Sequence, residues 1–225
     1  MNKAQSSFTL GFLYRNAAKW DDSIKYLKDA LEFFTDGENF VLERIEALNT
    51  LGLVYKEKDN CDLDKAEQLL EESQRLQEKY KINDQFLLSK TLSIFGKICI
   101  AQGKYTKAKE LYERSLEIKE NLKDNQGLGV CHNDLGQLCR LLEQLDEAEK
   151  HYNASLDYKR KCSSDNHSNA SDNHGEGITY MELGLLYRDK EEPETAILHW
   201  NNAKDKLNNE SKEFQLVKQW LEKAG

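Results

Sequence analysis

The tetrapeptide SDNH occurs twice, at residues 164–167 and 171–174, and sets His167, His174, Asp165 and Asp172 within one short stretch. Imidazole and carboxylate are ordinary ligands of transition metals, so a metal site is the first chemistry this grouping offers. The surrounding run, CSSDNHSNASDNHG, argues the other way, because it is polar, low in complexity and holds almost nothing that folding could bury. It reads as a mobile polar insert over 162–171 without a metal, with Asp172 capping the helix that follows. The remaining histidines, His132, His151 and His199, stand in no recognisable catalytic setting. The chain contains no HExxH, CxxC, Walker loop or nucleotide-binding glycine fingerprint. The expectation is a protein that is not an enzyme and uses no cofactor. The cysteines, Cys61, Cys99, Cys131, Cys139 and Cys162, are odd in number and lack paired spacing, which suits a reducing compartment.

The elements that would carry these residues are helical. Only one proline, Pro193, is present, and Leu, Lys, Glu, Ala and Gln, which lose little side-chain freedom in a helix, fill the chain. With 39% hydrophobic and 32% charged residues and a mean hydropathy of -0.79, the composition is polar for a compact globule and suits a thin shape with much surface. A net charge of -8 and a pI near 5.3 set the chain against phosphate backbones and anionic lipid, so neither nucleic acid nor membrane is an expected partner. No run approaches the roughly 20 apolar residues that span a bilayer, and MNKAQSSFTLGF lacks the apolar stretch of a secretory signal. A cytoplasmic location follows as the expectation.

Internal periodicity organises the whole chain. Gly11, Gly52, Gly96, Gly136 and Gly184 each follow a bulky apolar residue, and Tyr14, Tyr55, Cys99, Cys139 and Tyr187 stand three residues later. A small residue comes next, at Ser23, Ala66, Ala108, Ala148 and Ala196; Ala66 is two residues late, which implies a two-residue insertion in KDNCDLD. Four residues beyond lie Leu27, Leu70, Tyr112, Tyr152 and Trp200, and three further on lie Ala30, Ser73, Ser115, Ser155 and Ala203. A helical glycine is unfavourable by about 1 kcal/mol relative to alanine, so its recurrence requires a close helix contact. The pattern predicts a pair of antiparallel helices per copy, with the small residue facing the glycine and the large ones filling the space beside it.

This pattern resembles the tetratricopeptide repeat, whose signature is a Leu-Gly pair, a Tyr, and then Ala, a large apolar residue and Ala in the second helix. The resemblance implies an all-α, right-handed superhelix of about five helix-turn-helix repeats. Copies fall near 4–35, 38–80, 85–121, 125–161 and 173–207, in a single array over 1–225. The glycine spacings of 41, 44, 40 and 48 exceed the usual repeat of about 34, and the closing proline is missing. Asp84, Asp124 and Asp172 each lie twelve residues before a glycine, where they would cap an extended first helix. In this the chain is similar to the repeats of kinesin light chains and LGN-type scaffolds. First helices are expected near 4–17, 38–58, 85–102, 125–142 and 173–190, and second helices near 20–34, 63–80, 105–121, 145–161 and 193–207. A capping helix over 211–224 would present Phe214, Val217, Trp220 and Leu221 to the end of the array. The start of the array has no such cover, as in a piece cut from a longer protein. Cys99 and Cys139, at equivalent positions, are read as space-filling apolar residues and not as a regulatory disulfide.

In this family first helices line the concave side, where peptides and helices dock, so the resemblance implies a partner-binding surface. The residues picked for it are Asn49, Lys56, Lys90, Lys97, Asn133, Arg140, Met181 and Arg188. Over all five first helices the projected surface carries Arg15, Lys56, Lys90, Lys97, Arg140 and Arg188 against Glu46, Glu57, Asp134, Glu182 and Asp189. Lys90, Lys97 and Arg140 make its middle the most positive part, which favours an acidic or phosphorylated segment with apolar anchors. Of the clamp positions that grip chaperone tails in this family, only Lys90 matches. The expected function is a non-catalytic scaffold that binds a protein or peptide segment in its concave groove. The alternative is a sensory or regulatory module of a larger protein.

Overall fold

The computed structural model describes residues 3–34, 38–165 and 170–224. All regular elements among them are helices. In chain order they are α1 (Lys3–Asn16), α2 (Trp20–Phe33), α3 (Val41–Glu57), α4 (Leu63–Lys79), α5 (Gln85–Ala101), α6 (Tyr105–Leu122), α7 (Asn125–Leu141), α8 (Leu145–Asp165), α9 (Ala170–Asp189), α10 (Pro193–Lys206) and α11 (Lys212–Ala224), with a 3-10 turn at Glu38–Phe40 before α3. They fall into two compact units, Met1–Ile118 and Lys119–Gly225. None of these helices is long and apolar enough to cross a membrane.

Within each unit consecutive helices pair, and the turns between first and second helices show how the repeat is built. The Lys19, Lys104, Gln144 and Glu192 amides donate to the carbonyls of Tyr14, Cys99, Cys139 and Tyr187. These are the residues three after each motif glycine, so one position closes four turns through a left-handed residue, Ala18, Gly103, Glu143 or Glu191. In the second copy the Asp62 amide reaches the Tyr55 carbonyl across seven residues instead of five, which is the two-residue insertion in KDNCDLD. Asp62, Asp84 and Asp124 cap α4, α5 and α7 by accepting from the amides of Lys65, Leu87 and Gly127.

The polar insert departs from expectation at both edges. Helix α8 runs on to Asp165 and α9 begins at Ala170, so Asp172 is the third residue of its helix and not the cap. Residues 166–169, including His167, lie outside the described residues, as do the side chains of Asp165 and Asp172. Among the described residues no group of three or more His, Cys, Asp or Glu is placed to hold a metal.

The glycine contacts also correct the sequence reading. A Cβ on Gly136 would lie 2.7 Å from the ring of Tyr152, and one on Gly96 2.7 Å from the ring of Tyr112; on Gly11 it would meet Leu27, and on Gly184 Trp200. The close approach is real, but the large residue covers the glycine. The small one, four positions earlier, sits beside it: Ser23 Oγ donates to the Gly11 carbonyl at 2.7 Å. The reason is geometric, since a helical side chain leans toward the N-terminus and covers the turn before its own Cα.

In Met1–Ile118, Val41, Ile45, Leu48, Leu76 and Leu87 form one cluster and Ala4, Ala30, Phe34 and Ala47 another. In Lys119–Gly225, Tyr152, Leu156, Leu183 and Leu186 gather around Ala148. Helix α11 closes the second unit as a cap, with Val217 buried and Phe214, Trp220 and Leu221 packed on Trp200, Ala203 and Leu207. Cys99 and Cys139 are buried free thiols, and burial pushes the Cys99 thiol up. An acid near the start of a second helix meets a lysine in the turn of the next copy: Asp21 with Lys58, Glu67 with Lys104, and Glu149 with Lys190. Burial alone would raise the Glu67 carboxyl, yet bonds from Lys104, Gln102 and Lys107 bring it to about 2.

Candidate partner-binding face

The eight residues expected to meet a partner separate by register. Asn49, Asn133 and Met181 all stand three positions before their glycines. That position turns toward neighbouring helices and not into an open surface. Asn49 is 1% exposed, accepts from Ser73 Oγ and donates to Thr91 Oγ1, both at 2.8 Å, tying α3, α4 and α5 together. Gln77 Nε2 also donates to Thr91 Oγ1. The same Asn–Ser–Thr arrangement recurs in the second unit, where Thr179 Oγ1 donates to Asn133 Oδ1 at 2.9 Å and lies 3.2 Å from Ser155 Oγ. Lys159 Nζ donates to Thr179 Oγ1 and to the Gly175 carbonyl. Met181 is buried among Ala196, Trp200 and Ala203. Asn49 and Met181 are therefore withdrawn as contact residues, and Asn133 is half-buried and already bonded.

Four of the five first helices carry a basic residue four positions after the glycine: Arg15, Lys56, Arg140 and Arg188. Two of these bond to an acid one position further along in the next copy. Arg15 grips Glu57 with two bonds, of 3.0 and 2.7 Å. Arg140 meets Asp189 at 2.8 Å and Glu182 at 3.6 Å. Arg140 is thus a structural cation, not the free charge expected. Burial works against its protonated form, and the two carboxylates more than restore it. Glu182 is 7% exposed; burial pushes its carboxyl up despite Arg140 and a 3.3 Å bond from the Tyr152 hydroxyl. Arg188 is more open and touches Asp189 at 2.9 Å.

What remains open lies in the first unit, on the side formed by α1, α3 and α5. Phe12 is 44% exposed, and Leu53 and Lys97 hold the same register position in the next two copies. Lys56 stands one turn from Leu53, and Lys90, 46% exposed, lies 3.6 Å from Glu46. Arg15, Lys56, Lys90 and Lys97 outnumber Glu46 and Glu57 on this surface. It offers apolar contact bordered by cations.

The second unit holds a proton-sensitive contact. His132 of α7 and His151 of α8 meet through Nδ1 atoms 3.0 Å apart, and Tyr158 stacks on His132. One ring must donate and the other accept, so the bond is lost when both are protonated. Burial, then the neighbouring imidazole, lowers His132 to about 4, and burial lowers His151 as well. A histidine with a depressed folded pKa leaves the unfolded chain to take up protons first as pH falls. The stabilisation is complete above about 6.5 and drains away toward 4. Unfolding in urea at pH 7 and pH 5 should show a loss on the order of 1 kcal/mol at the lower pH, kept small by the partly exposed rings, and His132→Gln should remove most of it. An unaltered pH dependence in that variant would assign the effect to other groups.

Comparison with known proteins places these repeats. Residues 87–161 match the tetratricopeptide repeat family. Over 155 residues the chain is 28% identical to the transcriptional activator NprA of Geobacillus stearothermophilus, covering 68% of this chain and 37% of that one. It therefore spans little more than a third of that relative. Among solved structures, a signal transduction ATPase with numerous domains from Pyrococcus horikoshii, carrying a tetratricopeptide repeat sensor, aligns over 98% of this chain and 31% of its own at TM-score 0.70 and 19% identity. The nearly identical TPR-like repeats of a Podosopora anserina protein described as a kinesin light chain align over 91% of this chain and 95% of that one, at TM-score 0.63 and 14% identity. The match to the tetratricopeptide repeat family covers 87–161, and paired helices with glycines covered by large side chains continue the same pattern in the copies on either side.

Proposed function

We propose that the chain is a non-catalytic protein-binding module that takes an acidic segment with apolar anchors on the α1, α3 and α5 side of its first unit. The observation that supports this most is the combination of exposed Phe12 and partly exposed Leu53 with Lys56, Lys90 and Lys97 on one surface, where cations exceed acids. Apolar anchors would supply affinity and the lysines orientation and encounter rate. Phosphate groups would serve the same cations.

The test is to pan a random dodecapeptide library on the full chain and measure the recovered peptides by fluorescence anisotropy. Recovered sequences should combine acidic and bulky apolar residues, and Lys90→Glu with Lys97→Glu should weaken them about tenfold or more. Lys109→Glu with Lys150→Glu, on exposed second-helix positions, should leave binding intact. Recovery of basic peptides, or loss of binding only in the second variant, would defeat the proposal. Arg140 is left out of this test because of its place in an internal ion pair.

A second reading has its own support. The chain covers 37% of a transcriptional activator, so these repeats would also suit the regulatory part of a longer protein. Reading the source gene outward from both ends decides it: an adjoining effector domain supports this reading, and stop codons close to both ends remove it.

A further inference from the structure

Helices α9, α10 and α11 border an open pocket of about 400 Å³ lined by Arg188, Pro193, Ala196, Ile197, Trp200, Trp220, Lys223 and Ala224. Ala196 and Trp200, at 1% and 5% exposure, form its depth, and the exposed Pro193, Arg188 and Lys223 stand at its mouth. The two indoles lie 5.5 Å apart, tilted by 41°. Apart from Arg188 and Lys223, every lining side chain is apolar or an indole, and no carboxylate is among them. The indole Nε1 of Trp200 is turned against Gly184. Ala196, Ile197 and Trp200 lie inside a helix where backbone groups bond to each other, as the Ala196 amide does to the Glu192 carbonyl. The pocket thus has little to give a peptide backbone. What it supplies is an aromatic and aliphatic interior and two cations at the rim, of which Arg188 also bonds Asp189 and Lys223 stands exposed.

We propose that this pocket binds a small apolar carboxylate, a free molecule with a hydrocarbon or aromatic body seated between Trp200 and Trp220 and its anionic head between Arg188 and Lys223. The volume falls within the range of small-molecule sites and suits a body of about ten carbons. This site lies in the second unit and does not depend on the peptide-binding reading of the first. The sequence did not reveal it, because Ile197, Trp220 and Lys223 belong to a second helix and the capping helix, outside the surface the repeat register projects.

The experiment titrates the full chain with decanoate, following tryptophan fluorescence in a Trp20→Phe background so that only Trp200 and Trp220 report. Saturable quenching or a spectral shift is expected, about tenfold weaker for decanol, which lacks the charge. Arg188→Gln with Lys223→Gln should lose that preference for the anion while keeping the affinity for decanol, and Ile197→Glu should abolish both. A short peptide ending in Leu-Leu carries the same carboxylate on a peptide body and should bind more weakly than decanoate. No saturable signal, equal affinity for acid and alcohol, or tighter binding of the peptide would each overturn the proposal.

Discussion

Gly184→Val is expected to destabilise the second unit by about 3 kcal/mol or more in urea unfolding, the largest effect of any single substitution at the repeat glycines. A side chain at Gly184 would land on Cδ1 and Nε1 of Trp200. That indole could yield only by moving into the pocket it lines and breaking its buried contacts. It is 5% exposed, packed between Ala203, Met181 and Trp220, and an indole cannot yield as the end of a leucine can. The backbone gain from replacing a helical glycine, under about 1 kcal/mol, is too small to offset the clash. Gly175→Ala makes the matched control, since a Cβ there would meet only Lys159 carbons at 3.8 and 3.9 Å. It should be neutral or stabilising by up to about 1 kcal/mol. Equal losses at both positions would mean that helix geometry, and not the Trp200 contact, sets the need for glycine.

That contrast also shows what the sequence held. Recurrence of glycine at one register position was enough to demand a close helix contact, and the caps at Asp84 and Asp124 followed from spacing alone. The partner of the glycine did not follow. Spacing places Ala148 and Tyr152 on one side of α8, but only the lean of helical side chains decides that Tyr152 covers Gly136. Asp172 failed as a cap for a different reason. Its helix continues to Ala170, and nothing in a run of Ser, Asp, Asn and His marks where the first turn begins.

The partner-binding residues were the least legible because their exposure depends on the next copy. Asn49 and Lys56 are both polar residues of one first helix, yet Thr91 of the following copy draws one into the interior. Arg15 and Arg140 look like free cations until Glu57 and Asp189 of the following copies are brought beside them. An excess of basic over acidic residues on a projected surface therefore overstates the charge a partner would meet. Pairs between stacked copies consume part of it, Arg15 with Glu57 and Lys90 with Glu46 among them.

Arg140 itself carries the second large effect. Its guanidinium joins α7 to Asp189 and Glu182 of α9, and Glu182 is a buried carboxylate whose acidity burial already weakens. Arg140→Met removes the cation and leaves that carboxylate in the interior, which should destabilise the second unit by about 3–5 kcal/mol at pH 7. The pH dependence should run opposite to that of the histidine pair. A carboxyl whose folded pKa lies above its unfolded value binds protons first in the folded state, so its penalty is absent below the unfolded value, near 4.3, and grows as pH rises through the folded one. The defect in Arg140→Met should therefore be small in mild acid and full at neutrality. Adding Glu182→Gln should recover most of the loss at pH 7, because an amide keeps the shape and can still accept from the Tyr152 hydroxyl. If Glu182→Gln brings no recovery, or Arg140→Met loses the same stability at both pH values, the buried carboxylate is not what Arg140 serves, and the bond to Asp189 alone would account for its place in the fold.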